Sequence, residues 1–211
     1  MKIQHFFYQI SEFFIILILF ILPSIFSKEM TTFTNTKEFF SFVIYLLFSI
    51  LLLLTLNKKN KTEKKTQKKP FLASIISLIL LLWLSFIFSV SLPVQEKSYI
   101  KPSLFVQNLF FIPILVSFEE VLFRAYIPDK VFYLFTVKEK KQSRFIKLLA
   151  IVFSSLLFAL AHSYAGFYSI IFAFLSSLIL FVLKDYTSSL FFPILVHSVY
   201  NYFAFFYLLK T

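Results

Sequence analysis

The amino-acid sequence predicts an all-α fold, a polytopic membrane helix bundle of about seven transmembrane helices, and three observations carry that expectation. Of 211 residues, 59% are hydrophobic and only 15% charged, which is too apolar for an ordinary soluble domain. Several apolar runs are long enough to cross a bilayer. The lysines are gathered rather than spread: Asn57 to Lys69 and Lys130 to Lys147 together hold 13 of the 21 basic residues, as expected of loops facing the cytoplasm. The net charge of +11 is therefore ascribed to topology and to anionic lipid at these lysine-rich loops, not to nucleic acid.

In chain order, the first helix starts near Phe6 and takes in the run Phe13 to Phe26, with Glu12 near the interface. It is read as a membrane span and not as a signal peptide, since no small-residue cleavage site follows. A second helix covers about Phe39 to Leu56, and the polar stretch Asn57 to Lys69 follows, with seven lysines against Glu63. The third, about Phe71 to Leu92, carries the only tryptophan, Trp83, and ends at Pro93. The fourth runs from about Leu104 to Ile127, and the second basic loop, Lys130 to Lys147, separates it from a fifth over about Leu148 to Tyr164. Gly166 marks a turn into a sixth helix ending near Leu183, and a short loop, Lys184 to Ser189, leads to a seventh from Leu190 to Leu209. Alternation of sides puts both basic segments and the N-terminus in the cytoplasm, with the C-terminus outside. A single integral membrane domain, 1–211, is expected, without internal repeats.

Composition also removes chemistry. The absence of cysteine excludes disulfides, thiolate nucleophiles and cysteine metal sites, and one glycine excludes phosphate-cradling loops and GxxxG packing. The 33 phenylalanines are read as compositional bias and given no function.

Against this apolar background Ser117-Phe118-Glu119-Glu120-Val121-Leu122-Phe123-Arg124 is costly. A charged side chain near the bilayer centre costs roughly 2.5 to 3.5 kcal/mol on insertion scales, so such groups face the bundle interior and find partners. Glu120 and Arg124 stand at i and i+4 on one helix face, whereas Glu119 is turned about 100° away and is left free of that pair. Of three histidines, His162 and His197 fall in expected helices. Phe158 precedes His162 by one turn, and Asn201 follows His197 by one turn on the same face. Glu119, two imidazoles and an amide are the groups that hydrolysis of an amide bond requires: a base for the water and donors for the oxyanion. The plain alternatives are a structural ion pair for the charged stretch and interhelical hydrogen bonds for each histidine.

Taken in order, EExxxR (Glu119, Glu120, Arg124), FxxxH (Phe158, His162) and HxxxN (His197, Asn201), all within 104–209, resemble the motifs of the CPBP intramembrane proteases. That family includes the type II CAAX prenyl endopeptidases and the bacterial Abi proteins of bacteriocin processing and self-immunity. The resemblance implies an intramembrane endopeptidase acting on a membrane-associated peptide or protein, in the bacterial cytoplasmic membrane. It implies Glu119 as the water-activating base, His162 as a holder of the water, and His197 with Asn201 as oxyanion donors; Glu120, Arg124 and Phe158 support them. Glu119, His162, His197 and Asn201 could also ligate a divalent metal such as zinc. There is no HExxH, the strongest helical zinc signal, so the reading leans to a metal-free reaction with the metal version left open. The other classes weighed are a catalytically inactive peptide-binding or immunity protein, and a small proton- or cation-coupled transporter, for which repeats and glycine-broken helices are lacking.

Overall fold

In hydrocarbon a backbone must satisfy its own N–H and C=O groups, and the computed structural model, which describes residues 69–88, 102–136 and 144–210, is helical with no strand among them. The expected helices over 6–26 and 39–56, the lysine-rich stretch up to residue 68 and the stop at Pro93 lie outside the described residues. We number the described helices α1 (Pro70–Ile87), α2 (Pro102–Glu120), α3 (Ile127–Thr136), α4 (Arg144–Ala161), α5 (Phe167–Thr187) and α6 (Phe191–Lys210). A π-helical segment, Val121–Tyr126, joins α2 to α3 without a break, and a 3₁₀ turn, Ser163–Ala165, joins α4 to α5. Five continuous helical bodies result, and the expected count of seven reaches beyond them. α1, α4 and α5 are long and apolar enough to cross a membrane, and the chain is an integral membrane protein.

Two expected boundaries are corrected. Pro128 reads as a stop after Ile127, because proline disfavours helical geometry in the residue before it and lacks an N–H. The chain instead widens into the π register, in which the Ile127 N–H reaches Leu122 O, and the helix continues to Thr136. Lys130 and Lys147 are thus helical, and residues 137–143 lie outside the described residues. At the other end Lys184 to Thr187 form the last turn of α5, not a loop, and the turn narrows to Ser188, whose φ of 50° is left-handed. Gly166 does mark a turn: its φ of 96° suits glycine, although a Cβ there would meet nothing within 4 Å.

Two clusters hold the bundle. Bulky Phe118, Leu122, Phe123 and Tyr126 from the α2 end and π segment pack onto small Ala150, Ala159 and Ala161 of α4, large into small. α5 closes on α4 through serines, with Ser177 Oγ donating to Ser155 Oγ at 3.0 Å; small residues let the backbones approach, the role glycine has in many membrane bundles. The second cluster, Leu81, Leu180, Leu183, Val196 and Tyr200, ties α1, α5 and α6 together.

Candidate active site

The last turn of α2 buries both carboxylates, leaving Glu119 8% and Glu120 0% exposed. The following π segment is buried along its whole length. Such wide turns are uncommon and concentrate at functional sites. Arg124, fully buried, sets its Nε 3.2 Å from Glu120 Oε2 and its guanidinium carbon 4.2 Å from the centre of the Phe158 ring. The contact with Glu120 is one of charge: neither Nε nor the two terminal nitrogens make a hydrogen bond among the described residues. The aromatic face is therefore a substantial part of what stabilises Arg124, and such contacts reach about 2 kcal/mol when desolvated.

Glu120 has a second partner. His197 on α6 places Nδ1 2.8 Å from Glu120 Oε1, an N–H donating to a carboxylate, and directs Nε2 towards Glu119 Oε2 at 3.9 Å. Glu120 is thus occupied on both oxygens. Glu119 receives no hydrogen bond among the described residues.

His162 follows the last residue of α4. Its backbone N–H turns to Ala159 O at 3.0 Å, which leaves Phe158 O without its usual i+4 donor, and the His162 ring supplies one from Nδ1 at 2.8 Å. A carbonyl only accepts, so Nδ1 carries the proton and Nε2 keeps its lone pair. Counting about 1.5 Å per residue from helix ends puts His162 deeper than the other two groups. The structure nevertheless brings both imidazoles to one ring: Phe158 lies 4.5 Å from the His162 ring and 6.0 Å, edge-on, from His197. Phe158 also meets Phe123 at 5.2 Å, so a single phenyl group touches all three motif helices. Asn201 sits one turn beyond His197, half-buried, with no hydrogen bond among the described residues.

Residues 100–203 match the family described as Type II CAAX prenyl endopeptidase Rce1-like. Over this stretch the chain is similar to that family. The match to the Rce1-like family spans all three motifs and every residue placed above. No curated protein and no solved structure matches the chain.

Among the described residues no group of three or more His, Asp or Glu side chains is placed to hold a metal ion, although Glu119 and His197 approach each other and the His162 Nδ1 bond to Phe158 O leaves Nε2 available. No step is routed through a metal.

Sequence reasoning passed over Tyr164. It stands on the 3₁₀ turn with its ring 6.2 Å from His162, close to parallel. The residue is 64% exposed, yet enough protein surrounds the phenol for burial, and then the Glu119 carboxylate, to raise its pKa above the ordinary value. A tyrosine two residues after a motif histidine carries no distinguishing signal in a chain with 11 of them.

Proposed function

We propose that the chain is an intramembrane endopeptidase in which Glu119 activates a water for attack on a peptide bond. The observation that supports this best is the unequal treatment of two adjacent carboxylates. Glu120 is held by Arg124 at 3.2 Å and His197 at 2.8 Å, which fixes the helix end and leaves Glu119 as an unengaged acceptor. A positioned carboxylate of this kind takes a proton from water, the resulting hydroxide adds to the carbonyl, and the same proton is later delivered to the leaving amine. General-base action alone contributes about 10² to 10⁴-fold. His162, with its Nε2 lone pair, accepts from the water. His197, with Nδ1 engaged by Glu120, donates to the oxyanion from Nε2 in its doubly protonated state, alongside the Asn201 amide. The substrate is a membrane-associated peptide or protein, and the enzyme works in the bacterial cytoplasmic membrane with its lysine-rich loops towards the cytoplasm and anionic lipid.

The test is purified full-length protein in liposomes with a fluorogenic membrane-tethered peptide, prenylated and unprenylated, with and without a chelator. Glu119→Gln keeps size and much of the hydrogen bonding but removes the base, so turnover drops about 10² to 10⁴-fold while folded protein accumulates normally; unchanged turnover defeats the mechanism. Chelation leaves the wild-type rate unaltered, and its loss, restored by added zinc, would establish the metal version instead.

A further inference from the structure

The continuous helical body that bears Glu119 and Glu120 carries a proline on each side of them, Pro113 within α2 and Pro128 within α3. A proline cannot donate, so each removes one backbone hydrogen bond. In the α register Pro113 would have served the carbonyl four residues earlier, that of Leu109. In the wider register set by the Ile127 N–H reaching Leu122 O, residue 128 would have served the carbonyl five residues earlier, that of Phe123. Both carbonyls are met by hydroxyls from other helices. The Tyr202 hydroxyl of α6 donates to Leu109 O, and the Ser154 hydroxyl of α4 donates to Phe123 O at 2.5 Å. Tyr202 directly follows Asn201, and Ser154, fully buried, lies one turn before Phe158 and two before His162. The two hydroxyls therefore come from the helices that carry the two histidines.

We propose that Tyr202 and Ser154 are positioning residues, each donating to a carbonyl of the Glu119 helix whose usual backbone donor is replaced by a proline, and so fixing that helix against the His197 and His162 helices. The proposal rests on the reading of Glu119, His162 and His197 as the reacting groups. Neither tyrosine nor serine touches substrate. A hydrogen bond in a helix interior holds one helix to itself, whereas these two bonds hold the base helix to its two partners. They fall at the two points where a proline has removed a backbone donor of the helix itself. Misplacement of a reacting group by about 1 Å can cost about 10²-fold in rate.

Replacing the proline should cure loss of the hydroxyl, because Pro113→Ala returns the N–H that Leu109 O lacks. Tyr202→Phe lowers kcat by about 10- to 100-fold with KM within about 2-fold, and Pro113→Ala added to it recovers kcat to within about 3-fold of Pro113→Ala alone. Ser154→Ala and Pro128→Ala form the same cycle on the other side, with Ser154→Thr, which keeps the hydroxyl, close to wild type. A second readout needs no turnover: hydrogen exchange of the amides between Leu109 and Glu120, in purified protein in detergent, speeds up in Tyr202→Phe and slows again in the double variant. If Tyr202→Phe changes neither kcat nor exchange, or if Pro113→Ala fails to restore both, the proposal is overturned. Should Tyr202→Phe not accumulate as folded protein, the Ser154 cycle decides in its place, by the same two outcomes. A wild-type protein that cleaves no peptide would end the protease reading. The exchange cycle then decides the carbonyl capture separately, and its failure overturns that too.

Discussion

α1 and the continuous body formed by α2, the π segment and α3 meet the same solvent in opposite ways. α1 runs Pro70–Ile87 with no break, turns Ile75, Ile79, Trp83 and Phe86 outward and buries only Ser74, Ser77 and Leu81. Its Ser74 hydroxyl bonds back to its own helix, to Pro70 O at 2.9 Å. The other body buries Glu119, Glu120 and Arg124, contains Pro113 and Pro128, and changes register between them. Some of its polar groups are met within its own turns, Ser117 Oγ by Pro113 O and Glu120 by Arg124, but several also draw on other helices: Glu120 on α6, Arg124 on a ring from α4, and Phe123 O on α4. A self-sufficient helix can tilt or slide in lipid at little cost. A helix that depends on its neighbours is fixed by them, and precise placement of a reacting carboxylate follows from that dependence.

Breaking the contrast at the dependent body should have the largest effects. Glu119→Gln, at up to about 10⁴-fold in kcat, removes chemistry while leaving the Glu120 contacts intact, and thermal unfolding in detergent should be unmoved. Arg124→Ala acts the other way, withdrawing the partner of a fully buried carboxylate; breaking a buried pair costs about 3 to 5 kcal/mol, read as a lowered unfolding temperature and lowered yield as well as lost activity. His197→Ala removes one of the two partners of Glu120 and, on the proposed mechanism, an oxyanion donor, and a loss of about 2.7 to 4 kcal/mol in transition-state stabilisation, measured as kcat/KM, is expected. On α1, Ile79→Leu exchanges one exposed apolar side chain for another and should shift unfolding by no more than about 0.5 kcal/mol. An effect there as large as that of Arg124→Ala would dissolve the distinction between the two regions.

The same contrast explains what the sequence made legible. Charges inside an apolar run are conspicuous because they are expensive, so Glu119, Glu120 and Arg124 could be picked out, and helical spacing alone paired Glu120 with Arg124. Phe158, His162, His197 and Asn201 were legible as motif residues, but not the geometry in which Phe158 touches both imidazoles, since contacts between helices are set by packing. The end of the fourth helix was misplaced because Pro128 is a sound stop signal in an α register; that the chain would widen to a π register depends on the fit of Phe123 and Tyr126 against the alanines of α4. Tyr202 and Ser154 answer carbonyls 93 and 31 residues away in the chain. A proline announces that a carbonyl is in need, and only the tertiary structure says which hydroxyl responds.

The Phe158 ring has Arg124 over it and His162, His197 and Phe123 around it. A phenyl ring turns about its axis only when its neighbours retreat together, and here those neighbours belong to the three motifs. The ring is therefore a common bearing: a rotation of either imidazole is felt by the other, and by the arginine that holds Glu120, without any movement of the backbone. The side chain that links the three motifs in this way is one that carries no charge.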